Sequence, residues 1–184
     1  MSRVSQFRLQ AQYNRWFNRK LYEAAARLGP EGVALDRGAF FGSILHTLNH
    51  IMVGDLIWLR RFAAEHPTRP PVVPVGAEGW PDAERLNQVL YTDFEALRAK
   101  RDQLDAVIED WIGGLSEADL DIDLEYRNTQ GVAARRPFDL LLAHLFNHQT
   151  HHRGQVTTLL TQAGQDVGPT DMLLLIPNPL AAPA

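Results

Sequence analysis

Apolar residues recur at intervals of three and four along four stretches of the chain, and each stretch predicts an amphipathic helix. In the first, Phe7, Leu9, Tyr13, Trp16, Phe17, Leu21, Tyr22 and Ala25 predict a helix over Val4–Leu28, which Gly29-Pro30 ends. The second runs over Phe41–Glu65, between Gly38 and Pro67. The third is expected from Asp82, a natural N-cap after Pro81, to Ile112, where Gly113-Gly114 stops it. The fourth begins at Pro137, a favourable first helical residue, and reaches Gln162, with Gly164 just past its end.

The stretch between the third and fourth helices follows another rule. Leu124–Arg127 and Val132–Arg135 flank Asn128-Thr-Gln-Gly131, which predicts a small β-hairpin on a four-residue turn. Pro67–Pro81, with Pro70, Pro71 and Pro74, is a Pro-rich connection. Gly29–Phe40 is long enough for a crossover, so simple up-down-up-down order is not required. The expected fold is all-α: a four-helix bundle with a β-hairpin insert before the last helix. With 184 residues and no internal repeat, the chain suits a single domain over 1–184. Its tail, 166–184, carries the apolar run Met172–Ile176 and is expected to pack on the bundle or on a partner chain.

Composition narrows the chemistry. Net charge is −4 and no basic block stands out, so nucleic-acid binding has no electrostatic footprint. No apolar run approaches the roughly 20 residues of a membrane span. The N-terminus, Met1-Ser-Arg-Val-Ser-Gln-Phe, lacks the apolar core of a signal peptide, and a cytoplasmic location is the expectation. There is no cysteine, which excludes a disulfide framework, a catalytic thiol and a thiolate metal site. Any metal site must use histidine and carboxylate.

Histidine is where the pattern breaks. His144-Leu-Phe-Asn-His148-Gln-Thr-His151-His152 sets four imidazoles within nine residues of the fourth helix. On a helical wheel His148 and His152 lie one turn apart inside the inward stripe of Leu141, Leu145, Val156 and Leu159. Leucines offer them no hydrogen bond, whereas one shared cation satisfies both. On the second helix His50 shares the inward sector with Thr47, Ile51, Gly54, Trp58 and Arg61. The expected metal ligands are therefore His50, His148 and His152. His46, His144 and His151 are expected in capping, surface or supporting positions, and His66, beside Pro67, in solvent. Asp55 is expected either to orient a ligand histidine or to sit in a surface salt bridge. Trp16, Trp58, Trp80 and Trp111 are expected as core or interface aromatics. Gly54 and Gly154, within helices, suggest a close approach or room for a ligand. Glu95, Arg98, Lys100, Arg101, Asp102, Asp105 and Glu109 are expected on a solvated face of the third helix.

These residues carry a resemblance. Phe41-Gly-Ser-Ile-Leu-His-Thr-Leu-Asn-His50, followed by Asp55-Leu-Ile-Trp58-Leu-Arg60-Arg61-Phe62, resembles the second helix of DinB-like proteins. His144 to Gln155 resembles that family's most distinctive block, and Tyr13-Asn-Arg-Trp16-Phe-Asn18 is similar to its first helix. The resemblance spans about Tyr13 to Asp171. It implies an up-down-down-up four-helix bundle, often a homodimer, and a divalent metal on three histidines corresponding to His50, His148 and His152. Relatives include bacillithiol and mycothiol S-transferases and a mycothiol-dependent maleylpyruvate isomerase.

Three neutral imidazoles leave an open position on zinc, nickel, cobalt or iron(II), with zinc the first expectation. Such a position lowers the pKa of bound water or holds a thiol as thiolate. Without cysteine in the chain, that thiol must arrive on a small cosubstrate, with an electrophile as its partner. The leading expectation is thus a metal-dependent enzyme that activates or transfers a low-molecular-weight thiol. The alternatives are a non-catalytic metal-binding stress protein and a metal-dependent hydrolase. A hydrolase would call for a general base, and neither histidine helix carries a carboxylate on its inward stripe, though Glu95 or Glu125 could approach from elsewhere.

Overall fold

The computed structural model describes residues 2–71 and 79–178. It is mostly helical, with one two-stranded antiparallel hairpin: α1 (Arg3–Ala26), α2 (Gly29–Ala34), α3 (Ile44–Glu65), α4 (Phe94–Gly114), α5 (Glu117–Leu120), β1 (Asp123–Arg127), β2 (Ala133–Pro137) and α6 (Phe138–Gln162). A 3₁₀ turn over Met172–Leu175 follows. Residues 72–78 of the Pro-rich connection, including Pro74, and the end of the tail lie outside the described residues. No described helix is long and apolar enough to cross a membrane.

Helix boundaries follow their caps. Ser2 accepts from Ser5 N, Ser43 from His46 N and Asp93 from Ala96 N, each satisfying a first-turn donor. Gly29 and Gly164, with φ of 68° and 75°, turn the chain out of α1 and α6 in a conformation that favours glycine. The link after α1 is itself partly helical, because Pro30 is preset for the first turn of α2. Helix α3 starts at Ile44 rather than Phe41, since Gly42 has φ 79° and Ser43 is the cap.

The larger correction concerns α4, which begins at Phe94 and not at Asp82. Asp82 accepts a hydrogen bond from Arg60, and Asp93 is the cap. The intervening segment is held by α3. The buried Asn49 side chain accepts from Leu90 N (2.8 Å) and Tyr91 N (2.9 Å) and donates to Tyr91 O (3.0 Å). One amide thereby supplies the backbone partners that a helix would otherwise provide.

Helix α1 packs chiefly on α4 and α6, and α3 chiefly on α6. Between them lies a core including Leu21, Leu48, Leu56, Phe62, Leu97 and Phe138, all fully buried. The hairpin pairs Leu124 with Arg136 and Tyr126 with Ala134, and Asn128 Oδ1 accepts from Gln130 N and Val132 N in its turn. The start of the tail lies on α1, where Tyr13 Oη donates to Thr170 O at 2.9 Å.

A second correction lies inside the core. Arg101 and Asp105 are buried rather than solvated, and Asp55 is no surface residue. Arg101 donates to Asp55 Oδ2 at 2.5 Å and to Asp105 Oδ1 at 2.7 Å. Asp105 also accepts from Asn14 and Asn18 of α1. Arg153 of α6 donates to Asn14 Oδ1 and to Thr150 Oγ1. Two cations and two carboxylates thus close a charge-balanced network that draws on all four long helices.

Candidate metal centre

Helices α3 and α6 bring together the three histidines expected to meet, and none of the other four joins them. His50, His148 and His152 each present one ring nitrogen, and these nitrogens lie within 4.8 Å of one another, a grouping that could hold a metal ion. His50 Nε2 is 3.1 Å from both His148 Nε2 and His152 Nε2. Ligand nitrogens about 2.0–2.1 Å from a tetrahedral ion would stand about 3.3 Å apart, so the spacing suits one ion.

For His50 and His152 the far side of the ring decides the tautomer. His50 Nδ1 is 2.6 Å from Leu86 O, a carbonyl that can only accept, so Nδ1 carries the proton. His152 Nδ1 is 2.8 Å from Gln155 Oε1 and likewise donates, while the Gln155 amide nitrogen turns to His151 Nε2. Both Nε2 atoms therefore face each other as bare lone pairs. That contact is repulsive unless a cation lies between them. An extra proton does not serve near neutral pH: burial pushes all three imidazoles below their ordinary range, His148 to about 3 with help from the neighbouring histidines. Phe41 closes one side, stacked on His50 at 4.0 Å and edge-on to His152 at 5.6 Å.

His148 is placed by packing instead of a hydrogen bond. Its ring occupies the space where residue 54 would carry a side chain: a Cβ on Gly54 would lie 2.6 Å from His148 Cε1. Gly54→Ala should therefore separate site from fold. Alanine favours a helix by about 1 kcal/mol over glycine, and the ring can swing aside, so the melting temperature should hold or rise. Metal affinity should fall at least tenfold, as read by competition with a chromogenic chelator. Unchanged affinity would show that His148 does not need this notch. Gly154 has open space around its Cα and no such role.

The remaining histidines sort differently. His46, His144 and His151 are exposed. His144 lies edge-on to Trp58 at 5.2 Å, and His151 meets the His152 ring edge-on at 4.7 Å and Gln155 through its Nε2. His66, expected in solvent, is buried: Nδ1 accepts from Arg69 N at 3.1 Å and the ring meets Phe138 edge-on at 4.7 Å. Asp55 pairs with Arg101 and orients no ligand. Glu95 and Glu125 are exposed and lie near Arg98 and Arg135, and among the described residues no carboxylate joins the histidine group. Leu86 O and Phe41 escaped sequence reading. A backbone carbonyl leaves no side-chain signal, and Phe41 was assigned to the helix that Gly42 in fact keeps from starting. The spacing of His152 and Gln155, three residues apart on α6, could have revealed their contact.

The sequence model of the DinB family matches residues 1–178, and the chain belongs to that family. It is 28% identical over 161 residues to Protein DinB of Bacillus subtilis (strain 168), a span covering 87% of each protein. No solved structure matches the chain.

Proposed function

We propose that His50, His148 and His152 hold one divalent transition metal, zinc first and nickel, cobalt or iron next, and that the centre activates or transfers a low-molecular-weight thiol. The observation that carries the metal reading is the pair of bare Nε2 lone pairs of His50 and His152, turned toward each other by Leu86 O and Gln155 at 3.1 Å. An ion there would supply an open Lewis-acid position at which a thiol ionises near neutral pH. The chain supplies the rest. Leu86 O and Gln155 hold two rings in their ligating tautomers, and Gly54 admits the third. Phe41 shields His50 from water. His148, only half-buried, leaves the centre approachable.

Hydrolysis is the weaker reading, because among the described residues no carboxylate joins the histidines to serve as general base. The alternative to an enzyme is a non-catalytic metal-binding protein. We read the four long helices as an up-down-down-up bundle. The exposed Leu173, Leu174 and Ile176 would be the contact of a homodimer, with twice the chain mass in light scattering.

The test is spectroscopic. In cobalt-substituted protein, one thiol among bacillithiol, mycothiol and glutathione should shift the d–d bands and add a thiolate charge-transfer band. The same thiol should be conjugated to an electrophile faster with metal than without. His148→Ala should lose both effects. A cobalt spectrum indifferent to all three thiols would remove the transferase reading and favour the non-catalytic one.

A further inference from the structure

One cation about two helical turns from the centre has no counter-ion among the described residues. Arg61 of α3 is half-buried, and among the described residues it makes no hydrogen bond and no ion pair. Its neighbour Arg60 shows the ordinary arrangement, bonded to Asp82 and to Pro81 O. Arg61 instead lies over two rings, its guanidinium carbon 4.7 Å from the centre of the Trp58 ring and 5.1 Å from that of the Tyr126 ring of β1. Trp58 and Tyr126 meet each other at 5.3 Å. Two rings thus contact the guanidinium, while its N–H groups have no hydrogen-bond partner among the described residues, and a guanidinium edge matches a carboxylate in two-point contact.

The direction of this side chain ties it to the histidines. Helical side chains lean toward the helix N-terminus. From position 61 that lean carries the guanidinium over Trp58, toward Gly54 and His50. Across the interface the same track is lined by His144, 5.2 Å from Trp58 and 6.3 Å from His148. Gly54 marks the level of His148, and Arg61 lies seven residues further, about 10 Å along the axis. A small molecule with a sulfur at one end and an anionic group at the other could span the two.

We infer that Arg61 is the anion-binding residue of this site, receiving the carboxylate of an elongated thiol whose sulfur faces His50, His148 and His152. The assignment rests on the thiol reading for the second half of the ligand only, and its test separates the two. A merely structural arginine, covering Trp58 with its stem, would have no use for an anion.

The first measurement needs no metal. The Arg61 Nε–Hε resonance of metal-free ¹⁵N-labelled full-length protein, assigned with Arg61→Lys, is followed while butyrate, and separately inorganic phosphate, is added. A saturable shift at Arg61, absent with butanol and absent at exposed Arg98, is expected. No shift, or one shared with Arg98, would overturn the inference. Phosphate outcompeting butyrate would overturn the carboxylate assignment. The second measurement titrates cobalt-loaded protein with mercaptoethanol and with mercaptoalkanoates of increasing length. Long mercaptoalkanoates should bind about tenfold tighter than mercaptoethanol or mercaptoacetate, the gain expected of a charge-assisted contact. Arg61→Met should erase that gain with one metal still bound per chain. Equal loss for mercaptoethanol and mercaptoalkanoates would make Arg61 structural. A saturable Arg61 shift with a cobalt spectrum blind to every thiol would instead sink the thiol reading and leave the anion site.

Discussion

Arg101→Met should be the most damaging single substitution in the core, lowering unfolding free energy by roughly 3–5 kcal/mol, the range for breaking a buried ion pair from one side. Methionine fills much of the volume, so the loss is electrostatic. The Asp55 and Asp105 side chains are at most 1% exposed, and Arg101 is the cation that each contacts. Burial already raises both carboxyls, Asp55 to about 6, even with Arg101 beside it. Removing the guanidinium raises them further. A carboxyl whose folded pKa lies above its unfolded value, about 3.9, favours the folded state as it takes up a proton. The deficit of the variant should therefore be full only above the variant's own raised carboxyl range and shrink as pH falls toward 6, below which Asp55 is protonated in both proteins. Histidine contributions cancel in the difference from wild type. Urea titrations at several pH values check this, and a deficit under 1 kcal/mol, or one constant with pH, would contradict the network's role. His66→Ala should also destabilise the chain, through its lost contact with Phe138, without touching metal affinity.

This network shows where sequence reading stops. The periods of apolar residues located α1, α3 and α6 to within three residues, because each has a cap or breaker at its ends. Helix α4 failed at its start: Asp82 after Pro81 has the chemistry of a cap, but so does Asp93, and the choice depends on Arg60 and Asn49, far away in sequence. Arg101 and Asp105 were placed in solvent by residue type, although they lie at helical spacing with Leu97, Leu104 and Ile108 on the buried stripe. Their partners come from α1 and α3, so only the tertiary fold makes their burial tolerable. The histidines were legible for the converse reason. His148 and His152 had no plausible protein partner along their own stripe, and that deficiency pointed to a common ligand. The tautomer-setting Leu86 O was not legible, since it lies in the segment misread as helix.

The largest functional effect should come from the ligands themselves. His152→Ala removes one of three nitrogens and also releases Gln155, so tight binding should vanish, with a loss of at least a hundredfold. Gln155→Ala leaves Nε2 in place but frees the tautomer, and a loss of about tenfold is expected, in the range for outer partners of a metal ligand. His144→Ala leaves the three nitrogens untouched and should bind metal normally, although the same stretch of helix supplies it. Lowering pH should weaken binding in wild type, since ligation needs neutral imidazoles.

The most direct test is an equilibrium competition titration of metal-free protein with zinc and a chromogenic chelator, run on wild type, His152→Ala and His144→Ala. One zinc per chain, held tightly by wild type and His144→Ala and lost from His152→Ala, is the predicted result. Equal affinity in all three, or no tight site in wild type, would contradict a metal centre on His50, His148 and His152.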